Sequence, residues 1–497
     1  MRILWIVNTL LSLPSEKLYN KKSNGLWMDA YLKDFVGKDG YEIAVATTSK
    51  IKKTVAVKDK NVTYYILPDD YPINYDENKI SNVKAWRSLL TEFRPDLIEV
   101  WGTEFTHGLC ALRVAKNLSV TKSTSDAENV SGFENVSGFE NISGAENITI
   151  TKGIPSVIFM QGVMTEIAEG YYGGLSLKEV NKYRSLRDDI KHDGIMERKA
   201  VFYRQSFKEK EMLSITNRAI SENFWCDDKL KKINPDIRIY RLPLCLNNAF
   251  YRAERRADGI EKHSVIVTAS GYPLKGLHIM LRAAAILKDE YPDIKIYVPG
   301  ASLKTEKGIK NVIHRTGYAK YITEMINRYG LNENVVWLGN LSQEELAERY
   351  CTVNAFVMCS LVENHSSSLK EAMLCGVPSV TTKAGGIPEY AVDGRNAFVY
   401  DFDDVSALAG ALRTIFEDES IAKRLSENAR ADMRNLHNNE DLFKISENIY
   451  RDIVKENCRY SFMADKVIIT GKNGGLSKAV NNRLSGEYEA NLLGVKN

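Results

Sequence analysis

Ser360-Leu-Val-Glu363-Asn-His-Ser-Ser-Ser-Leu-Lys-Glu371-Ala-Met-Leu-Cys-Gly-Val-Pro-Ser-Val380 holds two carboxylates, Glu363 and Glu371, eight positions apart. Three serines lie between them and a Gly-Val-Pro stop lies behind. Ala355-Phe-Val-Met, just ahead, has the pattern of a buried strand, and Ala384-Gly-Gly-Ile-Pro-Glu389, just behind, is a turn. Strand, loop, helix capped by Ser366, Ser367 or Ser368, strand and Gly-Gly turn is how an α/β sheet presents a helix N-terminus to a phosphate. The first-turn amides and the positive dipole end attract the anion. Glu371 falls in the first or second turn, within reach of a ribose diol beside the phosphate. The competing reading makes it a first-turn acid that only stabilises the helix. Glu363 reaches a hydroxylated group beyond the phosphates.

Outward from this segment the same rhythm continues. Val265–Thr268, Lys295–Val298, Val335–Leu338 and Ala355–Met358 read as strands. Helical patterns over Gly276–Lys288, Tyr318–Arg328 and Gln343–Tyr350 alternate with them. The N-terminal half repeats the theme, with strands at Ile3–Val7, Glu42–Thr47, Val62–Leu67, Leu97–Trp101 and Val157–Met160. Residues 176–215 predict one or two long helices, and residues 407–457 predict three more. Strands alternating with helices give a parallel sheet covered on both faces. The fold class is therefore α/β, with two doubly wound domains in tandem. A chain of 497 residues is too long for one core, which agrees. Open parallel sheets bind ligands at the carboxyl ends of their strands, so two facing domains enclose a cleft.

Composition narrows the class. Apolar residues make up 44% and charged residues 26%, with a net charge of +3. That near balance argues against a nucleic-acid partner. The seven cysteines are scattered without a C-x-x-C pair, which points to reduced, mostly buried thiols and a reducing compartment. No run of 18 apolar residues predicts a spanning helix, and the N-terminus lacks a signal-peptide pattern. A cytoplasmic location is expected.

One segment breaks the rhythm. Residues 128–149 repeat Glu-Asn-Val-Ser-Gly-Phe with a period of six. A short β-solenoid coil, N-glycosylation at Asn129, Asn135, Asn141 and Asn147, and a repeat-expanded surface loop all fit. The cytoplasmic expectation disfavours glycosylation, and the loop is preferred.

Lys275 stands in Gly271-Tyr-Pro-Leu-Lys275-Gly276 between a strand and a helix. A lysine there contacts a diphosphate as a point charge, or is simply a solvated loop residue. The histidines form no H-x-x-x-H or H-x-H pattern, so no protein-held metal is expected. His107 and His365 taken alone read as polar loop residues. Neither a G-x-S-x-G elbow nor a G-x-x-x-x-G-K-[ST] loop occurs.

Together these segments resemble glycosyltransferase family 4, the retaining GT-B enzymes. The frame is Ser360, Glu363, Glu371-Ala-Met, Gly376-Val-Pro378 and Val380, then Gly385–Glu389 and Asp393–Phe398. Tyr272–Gly276 and Trp337–Ser342 hold the family's upstream places, while Arg94–His107 and Ile154–Gly162 resemble a bacterial subgroup. The resemblance spans residues 1–117 and 153–457. It implies a GT-B fold, two Rossmann-like domains facing across a cleft. The acceptor-side domain covers 1–250 with a repeat-containing insertion over 118–152. A linker follows at 251–262, then the donor-nucleotide domain at 263–440. A helix over 441–460 crosses back, and the role of the 461–497 tail is unread.

The resemblance further implies that Lys275 binds the donor's diphosphate, Glu371 the ribose and Glu363 the sugar. Asn364, His365, Ser366 and Ser367 offer groups to the donor, and Gly25 lies in a glycine loop near the phosphates. Glu104, His107 and Gln161 are the candidates on the sugar and acceptor side. Lys275 and Glu363 carry the catalytic expectation. Cofactors are none, the nucleotide sugar being a substrate. The acceptor is a saccharide or lipid-linked hydroxyl. The basic stretches Lys50–Lys60 and Lys178–Lys210 could touch anionic lipid at the inner face of the membrane, but a solvated charged surface is the preferred reading. Two departures stand out: Ser270 replaces a frequent arginine, and Gln161 replaces a frequent histidine. A sugar-nucleotide epimerase or phosphorylase on the same fold, and a catalytically weak partner subunit, are the rival readings.

Overall fold

The computed structural model describes residues 1–20, 26–69, 75–118, 120–122, 148–150, 153–268, 271–303, 315–437, 442–463 and 467–469. The strands in chain order are β1 (Arg2–Ile6), β2 (Glu42–Ser49), β3 (Val55–Asp59), β4 (Val62–Pro68) and β5 (Leu97–Trp101). β6 (Val120–Lys122), β7 (Ile148–Ile150), β8 (Ser156–Phe159), β9 (Arg218–Ser221) and β10 (Arg238–Arg241) follow. The second half adds β11 (Glu261–Val267), β12 (Lys295–Pro299), β13 (Val335–Gly339), β14 (Val353–Met358), β15 (Ser379–Thr382), β16 (Phe398–Tyr400) and β17 (Val467–Ile469).

The first sheet runs β10-β9-β8-β5-β1-β2-β4-β3, parallel except for the edge pair β3 and β4. The second runs β13-β12-β11-β14-β15-β16 and is wholly parallel. This is the doubly wound Rossmann order 3-2-1-4-5-6. Central strands covered on both faces read as continuous apolar runs, and Ile3–Val7 are fully buried. A third, antiparallel sheet joins β6, β7 and β17. The six-residue repeat lies almost wholly outside the described residues.

Several details differ from the sequence expectation. Residues 176–215 form three helices, Leu177–Lys182, Leu186–Lys191 and Ile195–Thr216. Ser176 and Ser185 each start a new one with a capping box, which propensity alone does not reveal. Leu244, Leu246 and Phe250 already pack with Phe356 and Leu369 of the second domain, ahead of the expected linker. The helix Leu442–Met463 crosses back, placing Leu442, Ile449, Tyr450 and Ile453 against Ile3, Trp5 and Trp101.

Candidate active site

Each sheet has one point where the strand order reverses. In the first sheet it lies between β1 and β5, and in the second between β11 and β14. The loops leaving those strands splay apart and leave a crevice. The β1 loop carries Asn8 and the β5 loop carries Glu104. The β11 loop carries Lys275 and the β14 loop carries Glu363. The two crevices face each other across a partly open cavity of about 250 Å³, bounded in part by Glu104, Gln161, Tyr272, Lys275, Glu363 and Asn364.

Lys275 ends a 3₁₀ turn, Pro273–Lys275, closed by Gly276 at φ +71°. A Cβ at Gly276 would overlap the carbonyl of Cys359, so the close approach of β11 and β14 loops requires glycine. The Leu361 amide donates to the Leu274 carbonyl at 2.9 Å, and Lys275 Nζ donates to Glu363 Oε1 at 2.5 Å. Burial pushes the Lys275 ammonium down, but Glu363 and Tyr272 outweigh it and hold it above the usual lysine range. Gly385, at φ +52°, lies against the Glu363 carbonyl so closely that a Cβ would overlap it.

Ser366 is the N-cap of the helix Ser367–Leu374, its Oγ accepting from Leu369 N at 3.3 Å. Glu371 is buried on that helix, and burial lifts its carboxyl to about 7 against the pull of Lys370. It does not line the cavity; neither does His365. Asn364 Nδ2 donates to the Met160 carbonyl at 2.9 Å, and its oxygens accept from Asn223. His365 Nδ1 and Lys370 Nζ both meet Glu222 Oε2, at 2.7 and 2.8 Å. Burial pushes the Glu222 carboxyl up, but Lys370 and His365 outweigh it and hold it well below the carboxylate range. Glu389 accepts from the amides of Phe224 and Trp225, at 3.0 and 2.9 Å, capping the helix Phe224–Ile233 of the other domain. Thus the 364–389 segment both lines the site and clasps the first domain.

On the opposite wall, Glu104 Oε2 accepts from Asn8 Nδ2 at 2.8 Å, and burial lifts the carboxyl to about 7. Behind it, Glu209 accepts from Thr103 Oγ1 at 2.6 Å and from Met164 N at 3.1 Å, fixing the loop. Gln161 lines the cavity. His107 does not: it is buried between Trp86 and Tyr75, its Nε2 at 3.1 Å from the Val7 carbonyl, and burial lowers its pKa to about 4. Gly25 and Ser270 lie outside the described residues.

Asn8, Glu222, Asn223 and Lys370 were not singled out in the sequence. Only Lys370, flanked by the two glutamates, carried a local signal. Among the described residues no group of three His, Cys, Asp or Glu side chains is placed to hold a metal ion. No described helix is long and apolar enough to cross a membrane. A larger cleft of about 1090 Å³ lies at the hinge, lined by Asp34, Asn248, Glu344 and Cys351 among others, and none of the Lys275 site residues borders it.

Residues 252–432 match the family described as Glycosyl transferases group 1. The D-inositol 3-phosphate glycosyltransferase of Streptomyces avermitilis is 26% identical over 207 residues, 40% of this chain and 41% of that protein. The capsular polysaccharide biosynthesis glycosyltransferase CapM of Staphylococcus aureus is 26% identical over 182 residues, 37% of this chain and 44% of that protein. The chain spans less than half the length of these curated relatives. Among solved structures, sucrose-phosphate synthase from Thermosynechococcus elongatus superimposes with a TM-score of 0.62 at 15% identity, over 92% of this chain and 100% of that one. Anabaena HepE in complex with UDP and glucose gives 0.56 at 14% identity, over 92% and 100%. These likenesses establish the GT-B fold of two Rossmann-like domains.

Proposed function

We propose that this chain, whose residues 252–432 belong to the group 1 glycosyltransferases, is a retaining hexosyltransferase. It moves a sugar from a nucleotide-diphosphate donor to a hydroxyl on a saccharide or lipid-linked acceptor, in cell-surface polysaccharide or glycoconjugate synthesis. The observation that carries this reading is the meeting of two switch points on one cavity, Lys275 and Glu363 on one wall and Glu104 and Gln161 on the other. A leaving diphosphate develops negative charge beside the Lys275 ammonium and the Ser366-capped helix start, which is electrostatic stabilisation of a leaving group. Glu371 holds the ribose, Glu363 the donor sugar, and the departing phosphate takes the acceptor's proton on the same face. Domain closure over the bound donor would keep water out. No metal takes part.

The place of action is the cytoplasm, at the inner face of the membrane. Exposed Tyr203 and Phe207 on the helix Ile195–Thr216, beside exposed Arg204 and Lys210, support contact with anionic lipid. Sedimentation with phosphatidylglycerol vesicles tests that contact, and Tyr203→Ser/Phe207→Ser should abolish it. A donor screen over UDP-, GDP-, ADP- and TDP-sugars, read as released nucleotide, tests the activity. Turnover of none sinks the reading, and a β-linked product from an α-linked donor sinks retention.

A further inference from the structure

The cavity between the two switch points carries an aromatic lining that the Lys275 chemistry does not use. Phe202 of the helix Ile195–Thr216, Trp225 of the helix Phe224–Ile233 and Tyr272 of the turn before Lys275 all border it. Phe202 and Trp225 are half-buried and Tyr272 is 36% exposed, so a ligand can reach all three. Tyr171, itself buried, backs two of the rings. It stacks on Tyr272 with centroids 5.9 Å apart at an interplanar angle of 9°, and it meets Phe202 at 5.2 Å. Trp225 is fixed through its backbone, where its amide donates to Glu389 at 2.9 Å, and Lys229 Nζ lies over its ring at 5.5 Å. Rings held in this way lose little freedom when a ligand arrives.

The polar groups beside these rings match a neutral, hydroxylated ligand. Gln161 borders the same cavity, and its side-chain amide has no hydrogen-bond partner among the described residues. The Trp225 indole N–H likewise has none among them. Glu104 adds an acceptor, held in place by the Asn8 amide at 2.8 Å. This set offers both donors and acceptors to hydroxyls. It offers no cation to a phosphate. Among the described residues that line the cavity the only cation is Lys275, which Glu363 engages, and Lys229 is paired with Glu166. A phosphate on the acceptor would meet the Glu104 carboxylate instead. A lipid chain would leave the amide and the carboxylate desolvated without partners. A pyranose satisfies both halves of the site. Its axial C–H bonds lay an apolar face on an aromatic ring, and its equatorial hydroxyls reach polar groups at the edge.

We propose that Phe202, Trp225 and Tyr272 seat an uncharged pyranose, the acceptor sugar, with Gln161 and Glu104 hydrogen-bonding its hydroxyls. This rests on the transferase reading above and narrows it: a phosphorylated polyol and a bare lipid alcohol do not fit this wall, whereas a saccharide, free or lipid-linked, does.

Saturation-transfer NMR on the purified full chain tests the seat without any turnover. The probes are methyl β-D-glucopyranoside, methyl β-D-galactopyranoside, methyl α-D-mannopyranoside and hexyl β-D-glucopyranoside, each alone and with UDP, GDP, ADP or TDP. At least one methyl glycoside should draw saturation, strongest on the C–H protons of one ring face. Trp225→Ala and Phe202→Ala should each weaken that binding by about tenfold, the order expected for one lost ring contact. Trp225→Phe keeps a ring in place and should restore most of it. Gln161→Ala removes an amide with no described partner and should weaken binding too, which keeps the test open if an alanine variant of the rings fails to fold. myo-Inositol 1-phosphate should not compete. Saturation of none of the glycosides, saturation carried by the hexyl protons in place of the ring protons, tighter binding of the inositol phosphate, or undiminished binding in Gln161→Ala and in a folded Trp225→Ala would each overturn the proposal. A chain that releases nucleotide from a donor but binds no glycoside loses this seat alone. Ring binding with no donor turnover supports the seat and sinks the transferase reading.

Discussion

Lys275 Nζ lies 2.5 Å from Glu363 Oε1, joining the loops that leave β11 and β14 at the reversal point of the second sheet. One carboxylate therefore holds the lysine head in position while leaving its remaining N–H bonds to face the cavity. Lys275→Ala should lower kcat/KM for the donor by about 10²–10³-fold, the loss typical of one preorganised charge donor. Lys275→Arg should recover little, because a planar fork does not replace a point charge in a turn this tight. Released nucleotide measures both, and wild-type rates in the alanine variant would remove Lys275 from the mechanism.

Glu371 has its carboxyl lifted to about 7 by burial. Only the ionised form accepts both hydroxyls of a ribose diol. Donor KM should therefore fall as pH rises from 6 to 8. Glu371→Gln should raise KM by about tenfold, one lost charged hydrogen bond, and flatten that pH dependence. Steady-state kinetics across the pH range provide the check, and an unchanged slope in the glutamine variant would exclude Glu371 as its source.

Glu99 is buried in β5, accepts a hydrogen bond from Tyr450, and is lifted from 4.5 to about 8, chiefly by burial. Below 4.5 it is protonated in both folded and unfolded chains and costs nothing. Between 4.5 and 8 only the unfolded chain ionises freely, so stability falls as pH rises through this window. The loss is complete above about 8 and amounts to roughly 5 kcal/mol at about 1.4 kcal/mol per pH unit. Glu209, also lifted to about 8, acts in the same sense. Urea unfolding at pH 6 and pH 8.5 should show the drop, and Glu99→Gln should shrink it.

Glu222 of the first domain and Lys370 of the second meet at 2.8 Å with Lys370 fully buried. Removing one partner leaves the other as an unpaired buried charge, which costs about 3–5 kcal/mol. Glu222→Gln or Lys370→Met alone should be strongly destabilising. The double variant should recover much of the loss, giving a coupling of at least about 2 kcal/mol in a double-mutant cycle. Additive losses would mean that the two side chains do not act as a pair.

The strand and helix alternation was readable from apolar runs such as Ile3–Val7 and Val265–Thr268, because parallel strands bury both faces. Strand order was not, since nothing local in β5 says that it lies beside β1. Yet that order is what brings Glu104 to Asn8 and sets both opposite Lys275. Local motifs likewise exposed Lys275, Glu363 and Ser366, although only the Ser366 cap is built within a few residues, and the Lys275–Glu363 contact joins loops 88 positions apart. Glu222, Asn223 and Glu209 reach the site through partners more than 40 positions away, so those roles are tertiary. His107 shows the converse: a polar residue beside a matched motif, yet its surroundings are an aromatic core.

The helix Leu442–Met463 has a consequence for the order of synthesis. Its Tyr450 supplies the hydrogen bond to Glu99, its Ser446 meets Tyr31, and its Glu447 accepts from Tyr41 at 2.5 Å. The second sheet is built from one continuous stretch, Glu261–Tyr400, and can close as soon as that stretch leaves the ribosome. The first sheet, though translated earlier, has a gap in its wall until residues 442–453 emerge. The domain made first is therefore the domain finished last. A nascent chain with residues 1–437 outside the ribosome and the helix Leu442–Met463 still within it should hold a protease-resistant second domain and a protease-sensitive first one.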